Sequence, residues 1–205
     1  MEGARGFMRN PNDVLSSLAS KANNTEYKYK RLYRNLYNIE FYLLAYHKIN
    51  AKEGSLTKGA DGKTIDGVSI ERIQNIIEEL REQSYRPHPV KRVYISKAKQ
   101  GKRPLGIPSF DDKLVQEVLR LILESIYEPQ FLETSHGFRS QRSCHTAIIK
   151  IQRRFTGVKW FVEGDIKGFF DNINHHILIG ILRRRIDDEK FMPNFFAKWI
   201  PSGLF

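Results

Sequence analysis

Apolar residues recur at helical spacing in the middle of the chain. Behind Ser69, the apolar positions Ile70, Ile73, Ile77 and Leu80 fall on one face of a helix, with charged residues between them. Serine is a favoured N-cap residue because its hydroxyl accepts a hydrogen bond from a free backbone N–H of the first turn. The pattern therefore predicts an amphipathic helix that begins just after Ser69.

A wider apolar stripe follows and ends before Pro129. Its members share one broad helical face: Leu114, Val115, Val118, Leu119, Ile122 and Ile126. Such a stripe predicts a long helix in the core. The adjacent acids Asp111 and Asp112 are interpreted as its cap; a pair of metal ligands is the alternative, which their place at a helix start disfavours.

Weaker patterns predict four further helices. The first begins near Pro11, and the second runs from Glu40 to Asn50. The third spans about Cys144 to Phe155, and the fourth follows the N-cap candidate Asn174. Helix-start residues mark the first and the last of these helices, and spaced apolar residues mark the last three. The chain is therefore expected to be rich in helix.

Two segments favour extended structure. After Pro87 and Pro89, the runs at 90–95 and 103–108 flank the turn-rich sequence KAKQGK, which predicts a β-hairpin with a basic tip. The aromatic and β-branched run WFVEGDI, residues 160–166, predicts a short strand that ends in an acid. Helices with a hairpin and a late strand indicate an α+β fold.

Composition narrows the functional classes. The 205 residues include 34 Lys and Arg against 23 Asp and Glu, a net charge of +11, and 13 Phe, 9 Tyr and 2 Trp. The aromatic residues suffice for a packed core, and the positive charge favours polyphosphate partners. No apolar run approaches the roughly 18 residues of a membrane span, and the first residues lack a signal-peptide pattern. With Cys144 as the lone cysteine, we expect a soluble protein of a reducing compartment such as the cytoplasm, with no membrane partner.

Part of the positive charge is interleaved with tyrosines after the N-cap candidates Asn24 and Thr25. A helix there would present phosphate-binding cations and rings on which bases can stack. The predicted RNA-binding residues are Lys28, Lys30, Arg31 and Arg34; the tyrosines are Tyr27, Tyr29, Tyr33 and Tyr37. The alternative is a solvated helix whose tyrosines pack inward.

The segment EGDIKGFFDNI, from Glu163 to Ile173, carries the candidate chemistry. Asp165 would stand at the end of a strand and be followed at once by a backbone turn. A carboxylate held in this way suits a hard cation such as Mg²⁺. The alternative is an acid that caps the turn.

Several segments together resemble the reverse transcriptase/maturase family encoded by bacterial group II introns. They are SYRPHPVKRVYISKAKQGKRPLGIPSFDDKLVQEVL, EPQF, SHGFRSQRSCHTAI and EGDIKGFFDNI, in family order and spacing. The long N-terminal extension and the sequence RPLGIP favour this family over other bacterial reverse transcriptases. The resemblance implies helical fingers followed by the palm of a right-hand polymerase.

The resemblance also implies roles for single residues. Asp165 matches the first metal-binding aspartate of the palm, with the carbonyl of Ile166 as a second ligand of Mg²⁺. Phe170 matches the aromatic residue beneath the sugar of the incoming deoxynucleotide. Lys97 and Arg103 match residues that bind the triphosphate, and Lys91 is expected to assist them.

One departure from the family limits these expectations. The family supplies further catalytic carboxylates from an aromatic-Ala-Asp-Asp segment, which this sequence does not contain. The resemblance therefore implies an N-terminal extension and fingers over 1–110 and remaining fingers with a partial palm and antiparallel sheet over 111–205. We expect a fragment or degenerate copy, inactive alone.

The parent activity implied by the resemblance is RNA-directed DNA polymerisation together with binding of group II intron RNA. The expected partners are this RNA, template and primer, and deoxynucleoside triphosphates, with self-association left open. The alternative is an RNA-binding module that assists intron folding and splicing without polymerising. An aromatic-x-Asp-Asp segment in the full-length gene would favour the enzyme.

Overall fold

The computed structural model describes residues 9–51, 56–96, 101–169 and 172–192. These residues form six α-helices and one pair of β-strands. In chain order they are α1 (Pro11–Ala19), α2 (Ile39–Asn50), α3 (Ile70–Arg81), β1 (Lys91–Ser96), β2 (Lys102–Ile107), α4 (Phe110–Tyr127), α5 (Cys144–Arg154) and α6 (His175–Arg183). Short 3-10 helices occupy Tyr33–Tyr37, Ile65–Gly67 and Glu128–Gln130. Helices with an antiparallel hairpin confirm the α+β class.

Helix α4 is the centre of the core. The apolar stripe predicted for it is buried, and α1 and α2 both pack against it. Its N-cap is Ser109, whose hydroxyl accepts from the backbone N–H of Asp112 at 3.1 Å. The prediction that Asp111 or Asp112 is the cap was therefore wrong by two or three positions, although both acids do lie in the first turn, where the helix dipole favours them.

The acids at the start of α4 are engaged with other elements. Asp111 forms an ion pair with Arg72 of α3, Nε to Oδ1 at 2.7 Å, and both side chains are mostly buried. Asp112 is fully buried among hydrogen-bond donors. Both carboxylates therefore bind neighbouring groups of the protein. This favours their interpretation as helix-start residues over the alternative of a pair of metal ligands.

Helices α2 and α3 match their predicted patterns closely. Asn38 caps α2 by accepting from the backbone N–H of Glu40, and Ser69 caps α3 by accepting from that of Arg72. The apolar faces of both helices enter the same core, where Phe41 and Ile73 are essentially inaccessible. Local capping and periodicity therefore suffice to place these two elements.

The basic and aromatic segment is not a helix, so that prediction was wrong. Tyr29 forms a parallel bridge with Ile186, and helical structure is limited to the 3-10 helix Tyr33–Tyr37. The bridge pairs the Tyr29 N–H with the carbonyl of Arg185 at 2.8 Å and the Asp187 N–H with the carbonyl of Tyr29 at 2.9 Å. Because these bonds hold the backbone extended, Tyr29 cannot take part in a helical turn.

The predicted hairpin is present, whereas the predicted palm strand is not. Strands β1 and β2 pair antiparallel in one register from Lys91 opposite Ile107 to Ser96 opposite Lys102. Residues 160–166 have no strand structure, and Trp160 and Val162 are 89% and 100% exposed. Within the described ranges, the hairpin is the only sheet, so the antiparallel palm sheet expected there is not formed.

The second half of the described chain contributes little to the core. Helix α5 lies where it was predicted and begins with a capping box in which Ser143 and Thr146 bond reciprocally, but none of its residues is buried. Helix α6 begins behind Asn174 as predicted and buries only Leu182. Core packing resumes beyond α6 at Ile186, Phe191 and Met192.

Candidate nucleotide and RNA interface

The basic hairpin places two predicted nucleotide-binding cations on one face. Lys91 lies opposite Ile107, and Arg103 lies opposite Ile95. Since side chains of directly paired residues share a face, Lys91 and Arg103 are on the same side, about 13 Å apart along the strands. Both are exposed. Lys97, the remaining predicted triphosphate ligand, directly follows β1 and lies outside the described residues.

The hairpin projects from the core at a fixed point. Asp112, at the start of α4, accepts from the backbone N–H of His88 at 3.0 Å and from the hydroxyl of Tyr85 at 2.6 Å. His88 is three residues before β1. These bonds join the approach to β1 to the central helix, so the hairpin base is anchored although almost all of its strand residues are exposed.

Asp165 is exposed and precedes a turn. Residues 167–169 form the turn, with Gly168 in the left-handed region at φ +61°. Asn172 closes it, since its backbone N–H and side-chain amide both donate to the carbonyl of Gly168, at 3.0 and 2.8 Å. The turn predicted after Asp165 is therefore confirmed. Phe170 lies outside the described residues.

The oxygen atoms at this position suit Mg²⁺ in kind but not in number. Asp165 offers a carboxylate and Ile166 a carbonyl, which are the hard donors that Mg²⁺ prefers. Octahedral Mg²⁺ needs about six oxygen ligands, several of them from water or substrate. Among the residues that the structure describes, no group of three or more acidic, histidine or cysteine side chains is placed to hold a metal ion. The described part of the site is thus incomplete for metal binding.

The four predicted RNA-binding cations are exposed, but the tyrosines between them are not equivalent. Tyr29 and Tyr33 are 1% and 5% exposed and pack in the core. The Tyr33 hydroxyl donates to the carbonyl of Leu80 at 2.9 Å, and burial raises the pKa of Tyr33 to about 12. These two rings are not available for stacking with bases. The inward-packing alternative is correct for them.

A cleft of about 540 Å³ runs between this segment and residues 187–190. Lys30, Arg31 and Arg34 line one side, and Asp187 and two further acids line the other. The Lys30 ammonium lies 3.3 Å from the Asp187 carboxylate, and both side chains are more than half exposed. Such an exposed pair is weak, so an RNA phosphate can compete with Asp187 for Lys30.

The role of Asp188 is not evident from the sequence, in which it looks like solvated charge. Its carboxylate accepts from the backbone N–H of Tyr33 at 2.9 Å and from those of Lys190 and Phe191 at 3.0 and 3.1 Å. Asp188 therefore ties the basic segment to the chain after α6. The Asp-x-x-aromatic spacing is a local capping pattern, but the partner at Tyr33 is 155 positions away.

Residues 95–203 match the family model described as reverse transcriptase (RNA-dependent DNA polymerase). The chain belongs to the reverse transcriptase family. The matched range begins in β1 and includes β2, α4 and Asp165. In the described ranges, no helix is both long and apolar enough to cross a membrane.

Several curated relatives of this reverse transcriptase chain have names that refer to introns. The group II intron-encoded protein LtrA of Lactococcus lactis is 51% identical over 181 residues, which cover 88% of this chain and 30% of the relative. An uncharacterized 91 kDa protein in the cob intron of Schizosaccharomyces pombe is 43% identical over 192 residues, covering 91% and 24%. Nuclear intron maturase 1 of Arabidopsis thaliana is 38% identical over 85 residues, covering 42% and 12%.

These relatives confirm the resemblance to group II intron-encoded reverse transcriptases and maturases. The chain spans less than a third of the length of each of these three proteins.

Proposed function

We propose that this chain is the fingers and first palm region of an RNA-directed DNA polymerase that also binds group II intron RNA. The carrying observation is the family match from residue 95 to residue 203, which contains the end of β1, the whole of β2 and Asp165. In this proposal, residues 1–110 are the N-terminal extension and fingers with the hairpin. Residues 111–205 are the remaining fingers and partial palm.

The hairpin binds the triphosphate of the incoming deoxynucleotide. Lys97 and Arg103 neutralise the phosphates, and Lys91 assists from the same face as Arg103. Cations fixed at this position stabilise the charge that develops during phosphoryl transfer without having to reorganise. The exposure of Lys91 and Arg103 on one face of a two-stranded sheet supports this assignment.

Asp165 and the carbonyl of Ile166 contribute oxygen ligands to Mg²⁺, and Phe170 lies beneath the sugar. When bound, Mg²⁺ supplies charge neutralisation at the transferring phosphoryl group. The exposure of Asp165 and the turn that follows it support this assignment. Further carboxylates must complete the site, which makes Asp165 necessary and not sufficient.

Intron RNA binds along the exposed cations Lys28, Lys30, Arg31 and Arg34. Three of them, Lys30, Arg31 and Arg34, line a cleft large enough for a nucleotide. The net charge of +11 favours association with a polyanion. Template and primer are further partners, self-association is left open, and a bacterial cytoplasmic location stays a prediction.

The test is a chimera in which this chain replaces the aligned segment of the Lactococcus relative. The identity of 51% over 181 residues makes a folded chimera a reasonable expectation. We expect template-dependent primer extension with Mg²⁺, and its loss in the Asp165→Asn variant. Asp13→Asn, the same change at an exposed residue of α1, is the matched control and should leave extension intact.

Unchanged extension in Asp165→Asn would overturn the assignment of the metal ligand. A folded chimera that binds RNA and fails to extend a primer would instead favour the second candidate, a non-polymerising RNA-binding module. This candidate is supported by the finding that the described residues contain no group of three or more acidic, histidine or cysteine side chains placed to hold a metal ion.

A further inference from the structure

The β-hairpin has a second face, opposite the one that carries the proposed triphosphate-binding cations. Alternation along the strands places Arg92, Tyr94 and Lys102 on the side opposite Lys91 and Arg103. All three are exposed, with Tyr94 64% accessible. The second face, defined by Arg92, Tyr94 and Lys102, therefore combines two cations with an accessible aromatic ring.

The residues paired with this face leave the ring of Tyr94 open. Tyr94 lies opposite Pro104, and Arg92 lies opposite Gly106. Gly106 has no side chain, and a Cβ there would lie 3.2 Å from a methyl group of Val90. Directly opposite Tyr94 and Arg92, the neighbouring strand thus presents only a proline ring and a glycine, so a planar group can approach the tyrosine ring.

The two cations lie on either side of Tyr94 along the hairpin. Arg92 is two residues before Tyr94 on β1, and Lys102 is opposite Ser96, two residues after it. Each is displaced from Tyr94 by about 7 Å along the strands. The result is a row of cation, ring and cation that follows the hairpin axis.

We propose that the second face binds single-stranded nucleic acid, with a base stacked on Tyr94 and phosphates on Arg92 and Lys102. This inference rests on the proposed nucleic-acid function and adds a site separate from the nucleotide-binding face. Stacking on an aromatic ring between backbone-binding cations is the usual way in which proteins hold single strands without sequence preference.

Charge complementarity selects nucleic acid as the occupant. Residues 91–96 and 101–107 contain four cations and no acidic residue. An anionic membrane surface would require a broad apolar face beside the cations, and the second face offers only a tyrosine, a proline and part of a valine. A polyanion with flat bases matches both of its features.

The test separates base stacking from charge. A fluorescent oligouridylate of about 12 nucleotides, within the range that one binding surface covers, is compared with an abasic strand of equal length. Tyr94→Leu should weaken binding of the oligouridylate about fivefold or more and leave the abasic strand unaffected. Tyr94→Phe retains the ring and should bind both strands as the unmodified chain does.

The cations are tested by Arg92→Gln combined with Lys102→Gln. This pair should weaken binding of both strands and reduce the slope of log affinity against log salt by about 1.4. Lys91→Gln with Arg103→Gln makes the same charge change on the other face. It should preserve the difference between the oligouridylate and the abasic strand.

Several results would overturn the inference. Equal loss in Tyr94→Leu and Tyr94→Phe, or an unchanged ratio of the two strands in Tyr94→Leu, would exclude stacking on this ring. Loss of binding confined to the Lys91 and Arg103 variant would overturn the inference alone and leave the proposed function standing. Absence of binding by the unmodified chain would overturn both this inference and the proposed RNA binding.

Discussion

Replacement of Asp112 by Ala should strongly destabilise the fold. The Asp112 carboxylate is fully buried and accepts from the hydroxyls of Tyr85 and Ser109, both at 2.6 Å, and from the backbone N–H of His88 at 3.0 Å. Burial, with Asp112 beside it, holds the pKa of Tyr85 well above its usual value, so this hydroxyl remains a donor. Asp112→Ala would leave three donors without their acceptor.

The magnitude follows from these three donors. A buried donor that loses its partner costs about 1–3 kcal/mol, and water entering the space left by the carboxylate recovers part of this cost. We therefore expect Asp112→Ala to lower the free energy of unfolding by about 3–5 kcal/mol. Domains are typically stable by only about 5–15 kcal/mol, so a large share of the total would be lost.

Urea unfolding followed by circular dichroism measures this loss. The matched control is Asp187→Ala, which removes an exposed ion pair with Lys30 and should cost at most about 1 kcal/mol. A loss below about 1 kcal/mol in Asp112→Ala, or one equal to the control, would refute the reasoning. It would mean that the carboxylate does not hold the approach to the hairpin.

Three further predictions concern stability at high pH, RNA binding and catalysis. Burial raises the pKa of Tyr33 to about 12, so the stabilisation that it contributes is present below pH 10 and is lost between about pH 10 and 12. In urea titrations over that pH range, Tyr33→Phe should lose less free energy of unfolding than the unmodified chain. An equal loss would contradict this. Alanine at all four exposed cations should weaken RNA binding and flatten its salt slope, and an unchanged slope would place the RNA elsewhere; the four are Lys28, Lys30, Arg31 and Arg34. The 205-residue chain alone should extend no primer in a radiolabelled assay with Mg²⁺, because one secure carboxylate cannot hold two metal ions; template-dependent incorporation above background would refute this.

The elements that the sequence predicts best are those whose determinants lie within the element. The apolar positions of α3 and its cap, Ser69, are contiguous, and the observed helix Ile70–Arg81 follows directly from them. The hairpin is equally local, since two short runs that follow Pro87 and Pro89 flank a turn-rich sequence. Each of these patterns has its full effect without reference to distant residues.

The basic segment shows why a local pattern can mislead. Tyrosines and cations alternate there, and nothing in residues 24–37 indicates that Tyr29 will pair with Ile186. Asp188 likewise looks like solvated charge until its bond to the backbone of Tyr33 is known. Both contacts join positions more than 150 residues apart, and tertiary hydrogen bonds of this kind override helix propensity.

Of the two structural features predicted around Asp165, the turn after it is present and the strand before it is not. The turn after it needs only Gly168 and Asn172, which are close in sequence, and it is present. The strand before it was predicted from aromatic and β-branched residues, but a strand acquires its stability from hydrogen bonds and side-chain pairs with neighbours. Residues 160–162 are highly exposed and are not part of a β-strand, so β propensity alone does not order them.

Asp165 has to be tested in a protein that supplies the other carboxylates. A carboxylate becomes a two-metal site only when neighbouring elements bring other carboxylates to it, and the described residues provide no such group. Loss of Asp165 from the 205-residue chain would therefore change no catalytic readout. In the chimera the rest of the relative surrounds Asp165, so Asp165→Asn can separate a metal ligand from an acid that merely precedes a turn.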